Sequence, residues 1–292
     1  MIDLASPIAI VAHDAGAANI IVNWVDAAIA KSCRPVMEGP ALKIWRERFP
    51  DHLPCSLSEA LGSAASMISG TGWASDLEHE ARAAARHAGI HSVAVIDHWL
   101  NYRARFSRSG IEVLPDEIWV TDKYAYVLAR DIFRDVPVQQ KPNLYLDRQA
   151  KAAGPRPDNG DLLFVAEPAR SEWGRGRAGE FQALDYLTQH AGAAGIPSDC
   201  PMRLRPHPSD PPGKYDAWIN SHPNWCLDDS RDIAEAIRGA RWVAGLQSFA
   251  LVVAIAADRP ALSALPDHAP ACALPHDKVV HLRRLVASQN PE

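Results

Sequence analysis

The sequence predicts an α/β protein built as two doubly wound halves, and three observations carry that reading. Short apolar runs alternate with longer helix-patterned segments. The alternation breaks once, over about 148–160, and then restarts. The chain has 292 residues, enough for two ordinary domains and too many for one small core.

The first half begins with "PIAIVA" (7–12), a continuous apolar run of the kind buried on both faces of a parallel sheet. A helical pattern, "GAANIIVNWVDAAIA", follows. "ASMISG" (65–70) reads as a strand that runs through "GTG" into "ASDLEHEARAAARHAG", a helix rich in Ala, Glu and Arg that closes on glycine. "SVAVID" (92–97) and "EIWVTD" (117–122) read as further strands. The polar stretch "VQQKPNLYLDRQAKAAGPRPDNGD" (138–161) then contains the predicted linker, 148–160. In the second half "DLLFVAEP" (161–168), "PMRLRPH", "NWCLDDS", "RWVAGL" and "PALSAL" read as strands. "GEFQALDYLTQHAG", "RDIAEAIRGA" and "SFALVVAIAAD" read as the helices between them. The expected domains are residues 1–147 and 161–285, two Rossmann-like domains facing across a cleft. The basic tail "KVVHLRRLVASQNPE" reads as a docking helix, with peripheral membrane contact as the alternative.

Composition narrows the function. With 47% hydrophobic residues the chain can bury sizeable cores, and a net charge of −5 provides no basic footprint for nucleic acid. The five cysteines are scattered, odd in number and free of any C-x-x-C, which argues against a disulfide framework and points to a reducing cytoplasm. No basic region precedes the first apolar run, so it reads as a strand and not as a signal peptide. No apolar run reaches membrane-spanning length. Neither H-E-x-x-H nor any His/Cys set at zinc spacing occurs, so no bound metal is expected; Asp228 and Asp229 read as a solvated turn, with a cation site as the alternative.

Open α/β sheets bind ligands at the carboxyl ends of their strands, so residues just after each strand are the candidates. Arg205 and His207 follow "PMRL", and Pro206 and Pro208 stiffen both neighbours of the imidazole. A guanidinium fork suits phosphate, and an imidazole can protonate a departing phosphate oxygen; a turn in which His207 caps backbone groups is the structural alternative. Gly245, Gln247, Ser248 and Phe249 lie where a helix begins, and its unpaired N–H groups suit a phosphate. An ordinary serine N-cap is the competing reading there. In the first half His13 and Asp14 follow the first strand, and Gly16 lets the chain turn. The pair can serve as a general base, or Asp14 can cap the helix. Thr71 sits in "SGTGWASD", a glycine-rich turn that is not a P-loop. Asp97, His98 and Arg103 belong to "IDHWLNYRARF", a mixed aromatic and cationic stretch suited to a sugar acceptor, or else a packed loop. No G-x-G-x-x-G or G-x-S-x-G occurs, which removes the dinucleotide fingerprint and the hydrolase elbow.

The strand-tip "RPHP", followed about forty residues later by a G-x-x-S helix start, resembles the C-terminal domain of GT-B-fold glycosyltransferases. It is most similar to the bacterial transferases of surface polysaccharide synthesis, including the sialyltransferases and Kdo transferases with a His-Pro motif. "KPNLYLD" (141–147) resembles the Gly-Asn-Pro segment by which many such enzymes leave their first domain. The resemblance implies metal-independent transfer from a nucleotide-sugar co-substrate, with no other cofactor, to a glycan or lipid-linked acceptor. It implies that Arg205 and His207 meet the donor phosphate and that Gln247, Ser248 and Phe249 contact phosphate or nucleoside. The acceptor base would be Asp14 or His13, and Gly16, Thr71, Asp97, His98 and Arg103 would line the acceptor site. The family's S-x-x-x-x-E-A places a glutamate on the donor ribose; here Val253 stands at that position, before Ala254. A nucleotide-sugar hydrolase or 2-epimerase on the same fold, and a non-catalytic sugar- or nucleotide-binding module, are the alternatives.

Overall fold

The computed structural model describes residues 2–289. They form two compact units that divide between Tyr145 and Leu146. Each unit is a six-stranded, wholly parallel sheet with helices on its faces.

In the first unit the strands are β1 (Ile8–Ala12), β2 (Cys33–Met37), β3 (Ser66–Ser69) and β4 (His91–Val95). A small hairpin follows, β5 (Ser107–Arg108) with β6 (Ile111–Glu112), and then β7 (Glu117–Val120) and β8 (Val138–Gln140). The order across the sheet is β2-β1-β3-β4-β7-β8. The continuous apolar run of β1 is explained by burial on both sides. Ile8, Ile10 and Ala12 pack against Ala17, Ile20, Ile21 and Trp24 of the helix Ala15–Trp24. Ala9 and Val11 pack on the other face against Leu77, Ala81 and Ala85 of the helix Leu77–Ala88. That second helix ends as its sequence predicts: Gly89 takes a left-handed φ of 68° and its N–H reaches back to the Ala85 carbonyl.

In the second unit the strands are β9 (Asp161–Val165), β10 (Met202–Arg205), β11 (Trp225–Leu227), β12 (Ala240–Gly245), β13 (Ala261–Ser263) and β14 (Val279–His281). Their order is β11-β10-β9-β12-β13-β14. Leu162, Phe164, Met202 and Leu204 form a core with Ala183, Leu184 and Leu187 of the helix Gly179–His190.

Several elements differ from the sequence reading, each for a local reason. The first helix breaks in two because the Asp26 side chain accepts from Ala28 N and Ile29 N and starts a new turn. The edge strand β8 is short and polar, and the edge strand β2 is interrupted by Arg34 and Pro35, so neither has a strand signature. Half of the expected linker is helix, Leu144–Ala153. The tail divides into β14 and the helix Leu282–Gln289, which docks Leu282 into the second core; positions 290–292 of the expected helix lie outside the described residues.

Candidate functional sites at the strand tips

Each sheet reverses its winding once. In the first unit the reversal falls between β1 and β3, and in the second between β9 and β12. Crevices in open α/β sheets form at the carboxyl ends of the strands at such points.

At the first crevice the β1 tip presents His13 and Asp14. His13 Nδ1 lies 2.7 Å from Asp14 Oδ1, and the Asp14 Oδ2 accepts the Trp73 N–H at 3.0 Å. Asp14 occupies the N-cap position of its helix, yet its carboxylate makes no capping bond. It is spent on the imidazole and on the β3 tip. Gly72 makes this approach feasible, because a Cβ there would collide with the Asp14 carboxylate. Behind the dyad, Glu78 accepts the His13 N–H at 3.1 Å and the Gly72 N–H at 2.9 Å. Burial raises its carboxyl above the ordinary glutamate range, which those N–H bonds oppose. Glu78 therefore consumes the N–H groups that an incoming anion would need. The first crevice presents carboxylate oxygens.

The other first-unit candidates divide. Asp97, just past β4, sits against Gly16, where a Cβ would overlap its Oδ2, and pairs with Arg105 at 3.0 Å. Gly16 and Asp97 are thus brought together beside the dyad. Thr71 is fully buried: its hydroxyl donates to the Val95 carbonyl at 3.0 Å, and it braces Arg105. Arg103 is exposed and tied to Glu112 of the hairpin at 3.0 Å, so its fork is already occupied by a carboxylate. His98 is packed against Trp99, its Nδ1 is buried with no partner, and burial lowers its pKa, so it is held neutral. The sequence reading did not single out Glu78 or Trp73 as ligand groups. The Trp73 ring is 49% exposed, and the Arg105 and Arg108 guanidiniums each lie 5.9 Å from its centroid.

At the second crevice His207 stands in the loop after β10. Asp210 accepts the His207 N–H at 2.9 Å and is itself held by Lys214 at 2.6 Å and by the Tyr215 hydroxyl at 3.1 Å. Although burial works the other way, these bonds keep the Asp210 carboxyl below its usual range. The Ser209 N–H donates to His207 Nδ1 at 3.1 Å, which leaves the ring proton on Nε2. Burial lowers the His207 pKa, so near neutrality this imidazole offers a neutral Nε2–H donor.

Arg205 reaches the strand tip already paired with a carboxylate. Its Nη1 lies 2.6 Å from Asp228 Oδ2 and donates to the Ser230 carbonyl at 2.8 Å. Asp228 also holds Arg203 and the Ser230 hydroxyl, and its side chain is 1% exposed. The expected phosphate cation is therefore an ion-paired guanidinium, and Asp228 is a buried partner and not a solvated turn. Gly245 is buried at the end of β12, where a Cβ would press on the Val165 carbonyl, so it serves strand packing. The Gln247 side chain accepts the Ala273 N–H at 3.0 Å and anchors a neighbouring loop. Ser248 is the N-cap of the helix Phe249–Ala256, yet its hydroxyl makes no capping bond and is buried without a partner. Phe249 occupies the first turn of that helix.

Sequence reasoning passed over Glu167, two residues beyond β9. It is partly buried at the winding reversal and receives the Gln247 N–H; burial pushes its carboxyl up to about 7. The signal was present as a lone carboxylate after the apolar "LLFVA". A cavity of about 420 Å³ beside Met202, His222 and Trp225 opens at the amino ends of β10 and β11, away from this chemistry. Among the described residues no group of His, Cys, Asp and Glu is arranged to hold a metal ion, and no helix is long and apolar enough to cross a membrane.

No family model matches the sequence, and no curated protein does. Solved structures do share the fold. A UDP-GlcNAc 2-epimerase from Methanocaldococcus jannaschii, in complex with UDP-GlcNAc and UDP, aligns with a TM-score of 0.62 over 98% of this chain and 93% of its own, at 10% identity. The glycotransferase of kitacinnamycin aligns at 0.51 over 99% and 92%, at 12% identity. The wall teichoic acid polymerase TagF aligns at 0.50 over 89% and 70%, at 12% identity.

Proposed function

We propose that this chain is a glycosyltransferase that takes a sugar from a nucleotide-sugar donor, with donor phosphate bound at the tips of the second unit and acceptor at the tips of the first. The observation that carries the reading is the uncommitted donor set at the second winding reversal. The Ser248 hydroxyl lacks a partner and opens the helix Phe249–Ala256, and His207, after β10, is held in the tautomer that donates from Nε2. In the first unit the His13–Asp14 dyad is suited to accept a proton from an acceptor hydroxyl, with Gly16 and Asp97 beside it. Bacterial surface glycans or their lipid-linked precursors are the acceptor class we infer, with the cytoplasm as the inferred place of work and the tail helix as a candidate for membrane contact.

A 2-epimerase or hydrolase acting on the same donor is the second reading. Its support is that a UDP-GlcNAc 2-epimerase stands, like the transferase, among the solved structures that share the fold. Both readings break the bond between the anomeric carbon and phosphate. Incubation with UDP-, CDP- and CMP-sugars, with and without carbohydrate acceptors, separates them. Acceptor-dependent release of nucleotide supports transfer, turnover without acceptor supports the second reading, and binding without turnover leaves a non-catalytic module. Absence of both binding and turnover across the panel removes the proposal.

A further inference from the structure

The geometry points to Glu167 as the acid that protonates the departing phosphate oxygen when the donor's sugar–phosphate bond breaks, a role the sequence resemblance implied for His207. This inference rests on the proposed nucleotide-sugar chemistry. Three features place Glu167 there. It follows β9, the central strand, whose tip aligns with both neighbours: Arg205 of β10 and Gly245 of β12 each pair with Val165. It therefore lies on the strand common to the His207 loop and the Ser248 helix start, at the one point where the sheet reverses its winding. Its carboxyl receives the N–H of Gln247, the residue next to the unpartnered Ser248 hydroxyl.

The protonation states of the two candidates also differ in the right direction. His207 is neutral and donates from Nε2, so at neutral pH it can hydrogen-bond an oxygen but holds no proton of low enough affinity to surrender. Glu167 keeps its carboxyl proton in about half of the molecules at pH 7, because burial raises it to about 7. Burial, and not a neighbouring charge, is what raises it. The titratable and charged groups carried by the adjoining segments are His207 and Arg205 after β10, the latter paired with Asp228; Arg170, Glu172, Arg175 and Arg177 on its own loop; and Asp267 and His268 beyond β13, while the Gly245–Phe249 segment carries none. A carboxylate in this place would also repel the donor phosphate, and a protonated carboxyl donates to it.

The step balances as follows. The anomeric C–O bond breaks and its electron pair goes to the phosphate oxygen. The Glu167 proton passes to that oxygen, and the acceptor hydroxyl, or water, forms the new bond to the anomeric carbon and loses its proton to a base or to solvent. Glu167 is left as a carboxylate stabilised by the Gln247 N–H and recovers a proton from water.

The test compares the full-length wild type with E167Q and E167D. Titration calorimetry with UDP, CDP and CMP gives affinity, and turnover of the matching nucleotide-sugars is followed from pH 5.5 to 8.5. We expect wild-type turnover to fall above about pH 7, and E167Q to bind nucleotide within about threefold of wild type. We expect E167Q to lose about 10²–10⁴ in turnover together with that alkaline limb, and E167D to restore part of the rate. With a glycosyl fluoride, whose leaving group departs as an anion, E167Q should lose under tenfold. Wild-type turnover in E167Q, a retained alkaline limb, an equal loss with the fluoride, or a loss confined to nucleotide affinity would each overturn the role of Glu167 while leaving the proposed function standing. A wild type that binds no nucleotide would overturn both.

Discussion

Replacing Glu167 by glutamine tests the burial of this carboxyl without any knowledge of substrate. In the folded protein the group titrates near 7, against an ordinary value of 4.5, with burial as the main cause. Its folded affinity for the proton is raised, so it stabilises the fold most below pH 4.5, where both states are protonated. That contribution is lost as pH rises toward 7, because the unfolded chain ionises first. The difference corresponds to about 3 kcal/mol, taking roughly 1.4 kcal/mol for each tenfold change in proton affinity. Glutamine keeps the shape and can still accept the Gln247 N–H but cannot ionise. Urea unfolding of wild type and E167Q, followed by tryptophan fluorescence from pH 4.5 to 8, should show the stability of E167Q relative to wild type rising by about 3 kcal/mol across that range. A difference that does not change with pH would refute the claim that the carboxyl is held in a desolvated place.

Asp228→Ala should cost about 3–5 kcal/mol in the same unfolding assay, since it strips Arg203 and Arg205 of their shared carboxylate; a loss below 1 kcal/mol would mean that solvent already screens the pair. Gly16→Ala should destabilise by about 1–3 kcal/mol, because Asp97 is anchored by Arg105 and cannot retreat from the new methyl; an unchanged midpoint would show that the carboxylate moves freely. His207→Ala should lower donor turnover about 10²–10³-fold through loss of the Nε2–H donor, with a melting midpoint close to wild type; equal turnover would remove His207 from the site. Trp73→Ala should change stability by under about 0.5 kcal/mol, because the ring is half exposed, while raising KM for a carbohydrate acceptor; unchanged KM would exclude stacking on this ring.

The apolar runs of β1 and β9 and the helix ending at Gly89 were legible in the sequence, because burial on both faces and capping are local properties. The edge strands β2 and β8 were not, since pairing on one side only demands no apolar run. The linker was misjudged because a polar, amphipathic helix such as Leu144–Ala153 differs little in composition from a loop.

The chain's own order of residues determined which side chains arrive at the strand tips: His13 and Asp14, Asp97, Glu167, His207 and Ser248 all follow strands that pattern alone could place. Whether each is available to a ligand was decided only by tertiary structure. Arg205 is paired with Asp228, Thr71 with the Val95 carbonyl and Arg103 with Glu112, whereas the Ser248 hydroxyl is left without a partner and burial raises the Glu167 carboxyl. The physical reason is that charge and hydrogen-bonding capacity are settled by neighbours distant in sequence. An arginine seeks an anion wherever it finds one, and only the folded chain shows that the nearest anion belongs to the protein.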